Sequence, residues 1–197
     1  MRPDITIDHT HGWHVILAAA HRALGWDADA LMTFSLTSLA LLFLLVPLLW
    51  ARRLEAWPLA LLAVVVCFPH YPFRFMLGRP YILAVTAFMV VLALWQRAGY
   101  RPGRGLLALT VSLIALATWT HGGWYQYMLP AAALLGARQW KAGLQMTGCW
   151  LVGSFLGAAL TGQPLTFLVQ QVMVLVSCFG HHSLQRMLVT EFQPHEG

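Results

Sequence analysis

Twenty consecutive residues, LMTFSLTSLALLFLLVPLLW at 31–50, carry no charge. An α-helix rises 1.5 Å per residue, so a run of this length covers the roughly 30 Å hydrocarbon core of a bilayer. Of the 197 residues, 59% are hydrophobic and only 10% are charged, against about 25% charged in an ordinary globular domain. With a mean hydropathy of +0.66, too few polar side chains remain to cover a water-soluble surface. The fold class read from these features is all-α, a multi-pass membrane protein.

Further apolar runs occupy 56–69, 80–95, 106–119, 124–137 and 143–162, which predicts about six transmembrane helices over residues 31–162. Pro80 stands at a good helix start. QRAGYRPGRG, residues 96–105, reads as a basic loop by its turn residues. Gly148, Gly153, Gly157, Ala158 and Ala159 predict close helix packing in the sixth run. Residues 1–30 read as an extracytoplasmic loop followed by a short amphipathic helix, WHVILAAAHRAL, lying in the interface. They hold no uninterrupted apolar stretch, so no signal peptide is expected. Residues 163–197 read as an interfacial helix, or a seventh span, at 164–180 and an extracytoplasmic tail.

Lysine and arginine in short loops mark the cytoplasmic side. With the first span running inward, the inner loops collect Arg52, Arg53, Arg97, Arg101, Arg104, Arg138 and Lys141 against one acid, Glu55. With the tail outside, all nine histidines and the other six carboxylates then fall on the outer side, whereas a seventh span would send His181, His182 and His195 to the cytoplasm. Histidine played no part in assigning the topology, so its partition supports the six-span count independently. The localisation expected is the bacterial cytoplasmic (inner) membrane. The basic clusters are topology signals between apolar runs, which excludes a nucleic-acid partner despite a pI near 9.6. Cys67, Cys149 and Cys178 sit singly in apolar runs, with no spacing for a disulfide framework or a thiolate metal site.

The outer segments supply carboxylate, imidazole, guanidinium and indole groups. IDHTHGWHVI, residues 7–16, holds an aspartate and three histidines within seven positions. Two chemistries fit that pattern. His11 and His14, three apart on one helix face, could bind a divalent metal ion with Asp8 as carboxylate ligand. Alternatively Asp8 serves as a general base, with an arginine neutralising the charge of a substrate phosphate. Arg79, His121 and Glu191 complete the candidate substrate-binding set with His11 and His14. The bland readings are helix re-entry for the amino-terminal helix, snorkelling for Arg79, and solvated loop positions for His121 and Glu191. For Trp13, Trp26, Trp119 and Trp124 the interfacial-anchor reading leads. No GxSxG elbow, P-loop or dinucleotide fingerprint is present.

The order of an acidic outer loop, the GWHVILAAAHRALGWD helix, a span, LGRPYIL opening a later helix, and TEFQP after the spans resembles the amino-terminal module of bacterial C-type glycosyltransferases. Those multi-pass enzymes transfer sugars from polyprenyl-phosphate donors on the extracytoplasmic face. The resemblance implies a catalytic or metal-binding role for Asp8, a contact with the lipid phosphate for Arg79, and a lipid-linked sugar donor and the lipid bilayer as partners. Members of that family carry a transmembrane helix before the acidic loop and are longer than this chain, so the expectation extends to a piece of such an enzyme. Two other functions compete: a membrane protein that binds or transports a transition metal through its outer histidines, and a structural subunit whose partner is another membrane subunit.

Overall fold

The computed structural model describes residues 8–49, 55–67 and 80–180. Among them the chain is all-α, with no strand. Helix α1 (His11–Leu24) ends at Gly25, whose φ of 66° permits the left-handed turn that returns its N–H to the His21 carbonyl. Helix α2 (Ala28–Leu45) is started by the Asp27 carboxylate, which accepts the Ala30 N–H at 2.9 Å. At Pro47, which has no N–H to donate, the chain tightens into a 3₁₀ turn, Val46–Leu49. Helix α3 (Ala56–Cys67) meets α2 through the Trp57 indole, which donates to the Leu44 carbonyl at 3.0 Å. Helices α4 (Tyr81–Arg97) and α5 (Arg104–His121) follow, then a 3₁₀ turn at Trp124–Tyr127 running into α6 (Met128–Gly136). Helix α7 (Trp140–Ala159) and α8 (Pro164–Gly180) close the described chain.

The main core lies among α4, α5, α6 and α7, where Val91, Trp95, Ile114, Tyr127 and Met146 are buried together. Buried Trp95 keeps its indole satisfied by donating to the Thr110 hydroxyl at 2.9 Å. Helices α5 and α7 run parallel, and small residues bring them together. A Cβ on Gly153 would lie 2.8 Å from Ile114 Cβ, and one on Gly157 would fall on the Ala115 carbonyl oxygen. A second cluster, Trp13, Leu39 and Ile82, ties α1 and α2 to α4.

The predicted runs reappear as helices, but not as six full spans. Within the described residues one helix, Ala28–Leu48, is long and apolar enough to cross a membrane by itself. Helix α3 has 12 residues and reaches about 18 Å. The fifth predicted run is broken, because four residues tighten into the 3₁₀ turn before the nine of α6. Helices α7 and α8 qualify together but are bent by 110° at the break between them. The packing glycine expected at Gly148 faces open space, whereas Gly153 and Gly157 face α5.

The outward surface is apolar on most helices. Helix α3 buries no side chain. On α7, Leu144, Leu151, Phe155, Leu156 and Leu160 are all exposed. On helix α8, Leu165, Val169, Met173 and Val176 form the exposed face, Leu165 being 70% exposed, while Gln170 and Gln171, each only 7% exposed, are buried alongside Phe167. An interfacial amphipathic helix would turn those glutamines toward water.

Candidate functional site

Helix α1 is begun by Asp8. Thr10, the residue before the helix, makes no capping bond with its own side chain. Instead Asp8 Oδ1 accepts both the Thr10 N–H at 2.9 Å and the Thr10 hydroxyl at 2.8 Å, folding residues 8–10 into an Asx-turn. That turn leaves Oδ2 over the first turn of the helix, where it meets His14 Nδ1. Burial of the carboxyl favours its neutral form. The Thr10 N–H and hydroxyl and the His14 imidazole outweigh that effect and hold its pKa below the usual 3.8.

Asp8 is therefore a carboxylate at neutral pH and can only accept, so His14 Nδ1 is the donor. In its neutral form the ring presents Nε2 as an acceptor, on a side chain 63% exposed. A carboxylate that fixes the tautomer and orientation of an accessible imidazole is the arrangement that makes histidine a general base.

Other groups gather at this end of the bundle. His9 Nδ1 lies 4.0 Å from Asp8 Oδ1, and its ring meets His121 edge-on with centroids 6.2 Å apart. His121, the last residue of α5, lies 6.1 Å from the ring of Tyr81, the first residue of α4. Helix α1 reaches α5 because residue 12 is glycine: a Cβ there would run into the Trp119 indole and lie 2.7 Å from its carbonyl oxygen. Trp13 anchors the other side, its indole donating to Ser35 at 3.3 Å and its ring stacked on Phe34. That buried contact, with Trp13 only 6% exposed, corrects its reading as an interfacial anchor.

Of the candidates read from the sequence, Asp8 and His14 are joined and His121 shares their end of the bundle. His11 stays out of the pair. Helical side chains lean toward the N-terminus, so His14 leans back to the Asp8 carboxylate while His11, at the first helical position, leans off the helix start. Arg79 and Glu191 lie outside the described residues. Among the described residues no group of three or more His, Cys, Asp and Glu side chains is placed to hold a metal ion, so the set of Asp8, His11 and His14 is not assembled as one. Sequence reasoning missed Thr10, although Asp-x-Thr before a helix is a capping signal. It also missed Tyr81, for which the sequence carries no signal beyond the helix start.

At the opposite end a cleft of about 800 Å³ is lined by Tyr100, Arg101, Gln139, Trp140 and Lys141, with no carboxylate or imidazole. Size alone would place a ligand there, but the groups able to move a proton lie at the other end. Comparison of the chain with protein-family models, curated proteins and solved structures finds no match.

Proposed function

We propose that the chain is a multi-pass protein of the bacterial inner membrane whose Asp8–His14 end faces outward. There it transfers a sugar from a polyprenyl-phosphate donor to a hydroxyl acceptor, alone or as a module of a larger transferase. The membrane part rests on the apolar outward surface. Contiguous exposed apolar area beyond a few hundred Å² is rare on soluble monomers, and α8 turns its glutamines inward and its aliphatic side chains outward. Six crossings remain the best account of the runs, the shorter ones being accommodated by local thinning of the bilayer.

One observation carries the transferase part: the ionised Asp8 carboxylate holding an exposed His14 with Nε2 as acceptor. In the proposed step the acceptor hydroxyl gives its proton to Nε2 as its oxygen bonds to the anomeric carbon. The bond from that carbon to the phosphate oxygen breaks, and its electron pair leaves with the polyprenyl phosphate. Asp8 stabilises the imidazolium that forms.

The test is transfer of a labelled hexose from its polyprenyl phosphate to an alcohol by the intact chain in lipid nanodiscs. General-base catalysis contributes about 10²–10⁴-fold, so His14→Gln and Asp8→Asn should lower the rate by that order with the helical circular dichroism unchanged. Full activity in His14→Gln would end the assignment.

A further inference from the structure

Four of the helical threonines share one hydrogen-bond pattern. The hydroxyls of Thr86, Thr110, Thr120 and Thr147 each donate to the carbonyl four residues back, at 2.7–2.8 Å. Thr118 breaks it. Although fully buried, its hydroxyl has no hydrogen-bond partner among the described residues, and the same holds for Ser154 Oγ and Gln171 Nε2. Buried polar groups are nearly always paired, so three unpaired ones at one helix junction call for an explanation.

The three come from α5, α7 and α8, each within about one turn of the contacts these helices make along the last turns of α5. A Cβ on Gly157, one turn after Ser154, would lie 2.8 Å from Thr118 Cβ, and one on Gly122, one turn after Thr118, would lie 2.8 Å from the Gln171 amide carbon. The lysines and arginines of these helices, Arg104 and Lys141, stand at the other end of the bundle, and none of the three carries an acid. A phosphate finds no counter-charge at the junction. A neutral ligand rich in hydroxyls finds two hydroxyls and an amide. The junction is closed in this conformation, and the 110° break before α8 carries Gly162 at φ 81°, a left-handed state that glycine adopts without steric cost.

We propose that Thr118, Ser154 and Gln171 form the subsite for the neutral sugar of the lipid-linked donor, uncovered when α8 swings at the Gly162 elbow. This rests on the transferase reading above and adds the place where the sugar is held. The polar groups stay unpaired in the closed state and are satisfied in the loaded one, so closure is weakened and opening favoured.

Native mass spectrometry of the full chain measures affinity for two probes of equal chain length, a polyprenyl phosphate bearing one neutral hexose and the bare polyprenyl phosphate. Intact protein should prefer the hexose-bearing lipid. Thr118→Val, nearly the same shape, and Ser154→Ala should each cut affinity for it about tenfold, leave the bare lipid unchanged, and raise the melting temperature. Unaltered discrimination in both variants overturns the subsite while leaving the transferase reading intact. Equal binding of the two probes by the intact chain overturns the transferase reading itself. Falling melting temperatures with unaltered discrimination identify groups satisfied by ordered water, which also overturns the subsite.

Discussion

Three glycines of α7 give a graded test of the packing that holds the bundle. Gly148 has nothing within 4 Å of a built Cβ, so Gly148→Ala keeps the gain in helix propensity, about 0.5–1 kcal/mol. At Gly157 the new methyl would fall on the Ala115 carbonyl oxygen and lie 2.8 Å from Thr118 Cβ. Ordinary carbon contacts are about 3.5–4.0 Å, so α5 and α7 would have to separate by something near 1 Å. A backbone carbonyl cannot swing aside as a side chain can, which puts the overpacking cost near the top of its range, about 3 kcal/mol. Subtracting the propensity gain leaves a net loss of about 2 kcal/mol, roughly thirtyfold in the folded-to-unfolded ratio. For a chain of this size that corresponds to a melting temperature lower by about 4–8 °C. Gly153→Ala, facing Ile114 Cβ at 2.8 Å and the Val111 carbonyl oxygen at 2.9 Å, should fall similarly. Thermal unfolding in bicelles, followed by tryptophan fluorescence, reads all three variants. A Gly157→Ala protein as stable as the parent, or a Gly148→Ala protein less stable than either other variant, refutes the close α5–α7 contact.

Asp8 predicts an acid response. Its folded pKa is depressed below the usual 3.8, so its contribution is complete above that value and is lost as pH falls through the lower folded one. Helix α1 should therefore loosen on acidification below about pH 3.8, seen as faster amide exchange over its first turn. In Asp8→Ala, which has no side-chain acceptor for Thr10, that exchange should already be fast at neutral pH and should not step in the acid range. Sidedness predicts a labelling pattern: with Cys67 and Cys178 replaced by serine, an impermeant thiol reagent added outside intact cells should modify His11→Cys and spare Arg101→Cys. The reverse pattern would invert the bundle and remove the proposed site from the donor's side.

Much of the fold was legible because apolar run length and turn chemistry are local properties. The run ending near Leu49, the basic turn before Arg104 and the run 164–180 all correspond to observed elements. The break at Trp124–Tyr127 was not legible. Those residues are as apolar as a helix needs, and the tight turn follows from tertiary contacts, such as the Trp150 indole donating to the Trp124 carbonyl at 2.9 Å. Periodicity could show that Gln170 and Gln171 form a polar stripe on α8, but not whether the stripe faces water or protein. At the site, the sequence paired His11 with His14 by helical spacing. The structure pairs His14 with Asp8 instead, because the Asx-turn carries a residue from before the helix over its first turn.

The last turn of α5 joins these observations mechanically. Successive helical residues point about 100° apart, so neighbours on one turn must address different partners. Trp119 meets α1 at Gly12, and His121 meets His9 and Tyr81. Thr118 and Gly122 meet α7 and α8. The helix that carries the proposed base and the proposed sugar subsite are thus both built against this one turn, whose position is set by α7 closing on α5 at Gly153 and Gly157. A methyl group at Gly157 touches no reactive atom, yet it displaces the wall against which both are built. Stability and transfer are coupled through that helix, and a substitution at Gly157 acts on the chemistry by moving α5 and with it Thr118, which the new methyl would meet directly.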